Sequence, residues 1–254
     1  QSETTIKDVP VTKDTIIKTK PVSTEDMVLD VDSDGDGTVD KTYTVPKGET
    51  VDIENIVKFN PDNGDKIIEK TVDSEGKLNY TPVEPTKDGY TFVGWYEDTD
   101  DTTTAYKSGS TYTKDVTYKA KWAHVKMLGA QVKAVVDDKS GIRFGTKIYD
   151  DGDEIVEKGT IILPKDLLAD GEILTLDTAQ IAKSVGKVNY EVNQKENYVV
   201  YLGTLVNIKR EQFDKQITAA SYVIYKDKAG NKYTVYSQYP NGSKSVNDLL
   251  NNTN

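Results

Sequence analysis

Residues 82–96 read PVEPTKDGYTFVGWY and residues 115–122 read DVTYKAKW, and these two stretches decide the fold class. In the first, the large aromatics Phe92 and Trp95 sit beside Gly89 and Gly94, and glycine reaches backbone angles that other residues avoid. In the second, strict alternation puts Val116, Tyr118, Ala120 and Trp122 on one face of a strand. A module of this length has room for one small core, and Phe92, Trp95 and Trp122 are expected to form it. The alternative use of the same rings is an aromatic platform that stacks on sugar.

The rest of the chain reads the same way. Sixteen Tyr, with abundant Thr and Val, stand against two Met in 254 residues. β-Branched and aromatic side chains suit a pleated, half-buried surface. The expected class is all-β. With 36% hydrophobic residues and a mean hydropathy of −0.60, the sequence has too few apolar side chains for one large core. Several small modules in a row need fewer. Three are expected: N-terminal strands over residues 1–50, a second module over 51–124, and a β-sandwich over 125–254.

Composition also excludes function classes. The net charge is −10, and most of the excess lies in residues 1–54, where thirteen acidic side chains face six basic ones. Without a basic stripe the chain cannot neutralise phosphates, so nucleic acid is not an expected partner. Anionic lipid would repel it. No apolar run approaches the roughly 20 residues of a membrane span, and QSETTIKDVP lacks the basic and apolar regions of a signal peptide. The absence of Cys rules out a disulfide-stapled scaffold.

The middle module carries the most specific text. VKFNPDNG at residues 57–64, PVEPTKDGYTFVGWY at 82–96 and DVTYKAKW at 115–122 stand in an order and spacing that resembles the Listeria–Bacteroides repeat, also called the internalin B-repeat. Gly89-Tyr90-Thr91-Phe92, Gly94-Trp95-Tyr96 and Lys121-Trp122 carry the likeness, and the acidic stretch Glu97–Asp101 departs from it. The resemblance implies a small β-grasp-like module of an extracellular, Gram-positive-style cell-surface protein, used as a spacer or weak adhesion unit. Partners would then be a host or matrix protein or glycan, together with neighbouring modules of the same chain.

The last module holds five strand-like runs, GIRFGTKI, GTIILP, NYVVYLGTLVNI, ITAASYVIYKD and KYTVYSQ, with Asp227–Asn231 as a hairpin turn between the last two. DTAQIAKSVGK is expected to hold one short helix, with Asp177 as N-cap and Gly186 as C-cap. This part resembles tail modules of surface and carbohydrate-active proteins that have no assigned activity. Tyr198, Tyr201, Tyr222 and Tyr236, some of which alternation places outward, motivate the alternative function, a carbohydrate-binding or cellulosome-type accessory module.

One loop holds the chemistry. In DVDSDGDGTVD, Asp30 to Asp40, acidic residues fall at positions 1, 3, 5 and 9 of a calcium-type loop: Asp32, Asp34, Asp36 and Asp40. Four carboxylates so close repel one another unless a hard divalent cation gathers their oxygens. Gly37 allows the turn, Thr38 would offer its carbonyl, and Val39 is expected to pin the loop to the core. Ca2+ with a structural role is the expected ligand. Position 12 is Tyr43 instead of Glu, so the remaining ligand would come from Glu25, Asp26 or Asp30. The competing reading is a solvated acidic turn.

Catalysis is not expected. The single His, His124, is read as an exposed residue of a linker, and one His with no Cys removes Ser–His, Cys–His and multi-His zinc chemistry. Asp150–Glu154 reads as a solvated turn. An intramolecular Lys–Asn isopeptide bond would need a buried Asn, and Asn207 in the apolar run LVNI is the candidate.

Overall fold

The structure is a computed structural model that describes residues 25–31, 39, 41–49, 54–99 and 104–251. It is all-β, and its residues form two compact units. The first gathers the described residues up to Pro85 with Gly94–Lys121. The second gathers Thr86–Val93 with the described residues from Trp122 onward.

In the first unit, β1 (Met27–Val31) and β2 (Lys41–Val45) pair antiparallel from Met27↔Val45 to Val31↔Lys41. Their alternation buries Val31 and Val45 at the strand ends, half-buries Met27, Leu29, Lys41 and Tyr43, and exposes Val28, Asp30, Thr42 and Thr44. The flanks of the acidic loop are therefore strands. Next come β3 (Ile56–Asn60), β4 (Ile68–Thr71), β5 (Lys77–Leu78), β6 (Thr91–Glu97), β7 (Ser110–Thr111) and β8 (Val116–Ala123), of which Thr91–Val93 and Trp122–Ala123 belong to the second unit. Four of them form a mixed sheet in the order β4-β3-β8-β6, in which β3 and β8 run parallel and β3 and β4 antiparallel. A parallel pair needs a long crossover. Here that connection contains no helix among the described residues; the two-residue ladder β5·β7 stands within it. The central parallel pair is the β-grasp-like feature.

The core of this unit centres on Phe59. With Val57 it occupies the buried face of β3, and both are 0% exposed. Trp95 and Tyr106 meet Phe59 edge-on at 5.5 and 4.8 Å, Tyr80 tilts against it at 5.7 Å, and Tyr118 stacks on it at 5.7 Å. Trp95 is buried as expected, but Phe92 and Trp122 are half-buried and pair with each other, edge-on at 5.7 Å, in the second unit. The three do not share one core. The alternation of β8 holds through Tyr118 and Ala120 and then slips, so that Ala123 is buried and Trp122 is not.

The second unit is a sandwich of two four-stranded antiparallel sheets. One orders β13 (Asn189–Asn193), β14 (Tyr198–Lys209), β10 (Lys139–Tyr149) and β9 (Val125–Val132). The other orders β12 (Ala182–Val185), β11 (Glu154–Pro164), β15 (Ile217–Lys226) and β16 (Lys232–Gln238). Met127, Ile142 and Phe144 of the first sheet meet Ile162, Ile217 and Ala219 of the second, joined by Val246 of the short helix α1 (Val246–Asn251). A neighbouring cluster joins Val125, Ile148 and Tyr201 to Val223, Tyr225 and Val235. The outer face of the second sheet is buried too. Ile161, Leu163, Ala220 and Tyr222 lie under Leu168 and Leu174 of the loop that follows β11. Burial on both faces explains why β15, ITAASYVIYK, reads as a nearly continuous apolar run.

Asp227–Asn231 turns as expected: the Asp227 amide donates to the Asn231 carbonyl at 2.9 Å, with Gly230 at φ +87°. The helix expected over residues 177–186 does not form. Ala182–Val185 is an edge strand, paired Gly159↔Val185 to Ile162↔Ala182, and Gly186 donates its amide to the Lys158 carbonyl at 2.8 Å. Cross-strand pairing with β11 outweighs the modest helix propensity of AQIAK. Among the described residues no helix is long and apolar enough to cross a membrane.

Candidate functional site

Asp32, Asp34, Asp36, Thr38 and Asp40, the expected calcium ligands, lie outside the described residues. Val39 is described and is 57% exposed, so it does not pin the loop to a core. Two of the three candidates for the remaining ligand already brace the hairpin. Asp26 accepts the Lys47 amide at 2.8 Å and Asp30 accepts the Thr42 hydroxyl at 2.7 Å. Among the described residues no group of three or more His, Asp or Glu side chains converges as a metal site would.

The hairpin that carries the loop is fixed at its loop end, where Lys41 pairs with Val31. Lys41 Nζ donates to Asp115 Oδ1 at 2.7 Å and to the Glu54 carbonyl at 3.0 Å, and the same Asp115 oxygen accepts the Ile56 amide at 2.7 Å. Asp115 thus ties the first residue of β2 to the first residue of β3. Lys41 retains 17% exposure and Asp115 31%, so the pair is screened less than one in open water. No local sequence signal announces a contact 74 residues apart.

His124 is not an exposed linker residue. Its ring lies between Tyr149, at 3.6 Å and 6°, and Tyr90, at 4.0 Å and 10°, and its side chain keeps 18% exposure. Nδ1 meets Asp151 Oδ2 at 2.5 Å. Lys87 covers Tyr90 at 4.8 Å, while Lys147 lies 5.1 Å from Tyr149 and 3.7 Å over Tyr198. Cations over aromatic faces are favourable, and here they occupy faces that a sugar ring would need. The turn Asp150–Glu154 is likewise engaged: Asp153 accepts the Tyr233 hydroxyl at 2.7 Å and Glu154 pairs with Lys226.

Two of the four tyrosines proposed as a binding surface are interior. Tyr201 and Tyr222 are 0% exposed. The Tyr222 hydroxyl donates to Glu157 at 2.7 Å, and Lys183 reaches the same carboxylate oxygen at 2.8 Å. Lys183 first, then the Tyr222 hydroxyl, hold Glu157 below the usual carboxylate range, and burial pushes the Tyr222 phenol up. Tyr198 donates to Glu191 and Tyr236 accepts the Leu176 amide. Asn207 is exposed at φ +59°, where β14 bulges, and so lacks the buried setting an isopeptide bond needs. A shallow pocket of about 160 Å³ lies by Tyr198, lined by Ile148, Ile155, Val199 and Asn197 among others.

The parallel β3·β8 pair, the Phe59–Trp95 core and the glycine turn at Gly89 (φ +77°) can now be set beside known families. Residues 56–121 match the Listeria-Bacteroides repeat domain. Repeats of this family are typical of surface or extracellular proteins. The match covers the module whose text carried the resemblance, so the chain contains a module of a kind typical of surface or extracellular proteins. Nothing among curated proteins or solved structures matches the chain. The residue that the sequence reading missed was Phe59. Alternation in IVKFN already placed it with Val57 on one face, and that was the usable signal.

Proposed function

We propose that the chain is a non-catalytic structural or adhesive segment of a bacterial cell-surface protein, a stalk or spacer that presents a binding region. The Listeria-Bacteroides repeat supports the extracellular setting. The observation that carries the spacer reading is the Lys41–Asp115–Ile56 tie, which fixes the acidic hairpin to the first strand of the repeat. A hairpin with only two strands is marginal alone; tied to β3 beside its acidic loop, it becomes part of the module. In this reading Ca2+ held by Asp32, Asp34, Asp36, the Thr38 carbonyl and Asp40 removes the mutual repulsion of the loop carboxylates and stiffens the hairpin. Polar side chains elsewhere are used in fixed hydrogen bonds, such as Tyr222–Glu157 and Tyr233–Asp153.

Calcium titration by calorimetry, with melting curves in chelator and in excess calcium, tests the loop. Heat of binding and a raised melting temperature, both lost in Asp34→Asn with Asp36→Asn, are expected. No heat and no shift remove calcium from the proposal. Turnover of any polysaccharide or peptide polymer by the purified chain would overturn the non-catalytic reading. The carbohydrate-binding alternative has lost Tyr201 and Tyr222 as a platform, and no observation favours it.

A further inference from the structure

The sequence contains two Asn-Gly pairs, Asn63-Gly64 and Asn241-Gly242, and the fold treats them differently. In such a pair the backbone nitrogen of the glycine can attack the asparagine side-chain carbonyl carbon, because no Cβ on the following residue crowds the approach. A C–N bond forms, the glycine nitrogen loses its proton, and the side-chain nitrogen leaves as ammonia. Water then adds to one of the two carbonyls of the cyclic imide, giving Asp or isoaspartate. Only water is consumed.

At Asn63 both ends of the side chain are held. Oδ1 accepts the Asp65 amide at 2.9 Å and Nδ2 donates to the Asp65 carboxylate at 2.8 Å. Rotation of the carbonyl carbon toward the Gly64 nitrogen breaks both bonds. At Asn241 the described structure gives the side chain no hydrogen bond; its backbone carbonyl accepts the Ser243 amide at 2.9 Å. Asn241 and Gly242 are both exposed, and Gly242 stands at φ +74° with nothing within 4 Å of the place a Cβ would take. The single restraint is the Gly242 amide, which donates to the Tyr239 carbonyl at 3.2 Å.

We infer that Asn241 is a site of spontaneous deamidation in the folded protein and that Asn63 is protected by its bonds to Asp65. The consequence reaches beyond the turn. Ser243 Oγ donates to Gln216 at 2.9 Å, and Lys244 exchanges two 2.9 Å backbone bonds with Ile217, which fix the chain just before α1 and its buried Val246. Isoaspartate inserts an extra backbone carbon two residues before Ser243. It therefore loosens the attachment of α1, and the modification acts as a slow irreversible clock on the end of the sandwich.

The full chain is aged at mildly alkaline pH, digested with trypsin and mapped by mass spectrometry. The peptide Tyr233–Lys244 is expected to gain one mass unit and split into Asp and isoaspartate forms, roughly tenfold faster than Phe59–Lys66, the order that two net hydrogen bonds on Asn63 impose. In denaturant the difference should vanish. Asp65→Ala should bring Asn63 up toward the Asn241 rate. Equal rates in the folded chain, or faster conversion at Asn63, overturn the proposal, as does a persistent difference in denaturant.

Discussion

Gly203→Ala is the sharpest perturbation of the sandwich. Gly203 in β14 faces Thr160 in β11, on the opposite sheet. A Cβ added at Gly203 would stand 2.2 Å from Thr160 Cβ, 2.4 Å from Oγ1 and 2.6 Å from Cγ2. Ordinary contact begins near 3.4 Å, so the sheets must part by more than 1 Å or β14 must shift. Overpacking typically costs about 1–3 kcal/mol, and rigid strands on both sides put this case near about 3 kcal/mol. For a unit of this size that is a fall in melting temperature of about 10 °C. Thr160 offers an internal control. Its hydroxyl is buried without a partner, so Thr160→Gly relieves a desolvation penalty while adding a strand glycine costing about 1 kcal/mol. In the double variant the alanine methyl occupies the vacated space, and the double should be more stable than Gly203→Ala alone, with a coupling of about 1–3 kcal/mol. Urea unfolding followed by near-ultraviolet circular dichroism of the buried tyrosines reads all four proteins. Gly203→Ala within about 0.5 kcal/mol of the parent, or strictly additive changes, would refute the close approach of the two sheets.

Three further expectations concern other parts. Phe59→Ala removes the ring that meets Tyr80, Trp95, Tyr106 and Tyr118; a loss of about 3–5 kcal/mol should appear in Trp95 fluorescence, read in a Trp122→Phe background. Glu157 is held below the usual carboxylate range by Lys183 and Tyr222, so its stabilisation is present above that range and lost as pH falls through the lowered folded value. Glu157→Gln should therefore lower the melting temperature at neutral pH, and the gap from the parent should close in acid; a gap independent of pH argues against the assignment. Asp115→Ala should raise hydrogen exchange at the amides of β1 and β2, since Lys41 and the Ile56 amide lose their shared acceptor, and unchanged protection would remove the anchoring role.

The sequence was legible where a pattern is local and one-sided. The strands of the sandwich, the 227–231 turn and the repeat could be read from alternation, glycine position and spacing. It was illegible where burial depends on what covers a face. Tyr201 and Tyr222 sit in strands whose alternation separates two faces, yet the loop carrying Leu168 and Leu174 covers the outer face of the second sheet and buries Tyr222. The segment 177–186 has a respectable helical text, but β11 presents an unpaired edge that Ala182–Val185 satisfies. His124 looked like a linker residue because neither Tyr90 nor Tyr149, its stacking partners, is near it in sequence. The acidic loop was legible as a spacing alone, and its ligands fall outside the described residues.

The boundary of the family match and the boundary of the compact units disagree, and the disagreement has a physical content. Thr86–Val93 lies inside the matched range 56–121 but belongs to the second unit. Tyr90 stacks on His124, Thr91 Oγ1 donates to the Val125 carbonyl at 2.7 Å, and Val93 lies against the cluster of Ala123, Val125 and Ile148. A fragment ending at residue 121 loses the stacking partner, the acceptor and the apolar cover together. One stacked pair, one hydrogen bond and one partly buried valine sum to about 3 kcal/mol, which is a large share of the stability of a module this small. The fragment 54–121 should therefore unfold at markedly lower denaturant than the same residues within the full chain, as read by Trp95 fluorescence. His124→Ala in the full chain should shift that transition much less, because it removes the stack and leaves the other two contacts. Equal midpoints for fragment and full chain would mean that the signature turn of the repeat draws nothing from the residues that follow it.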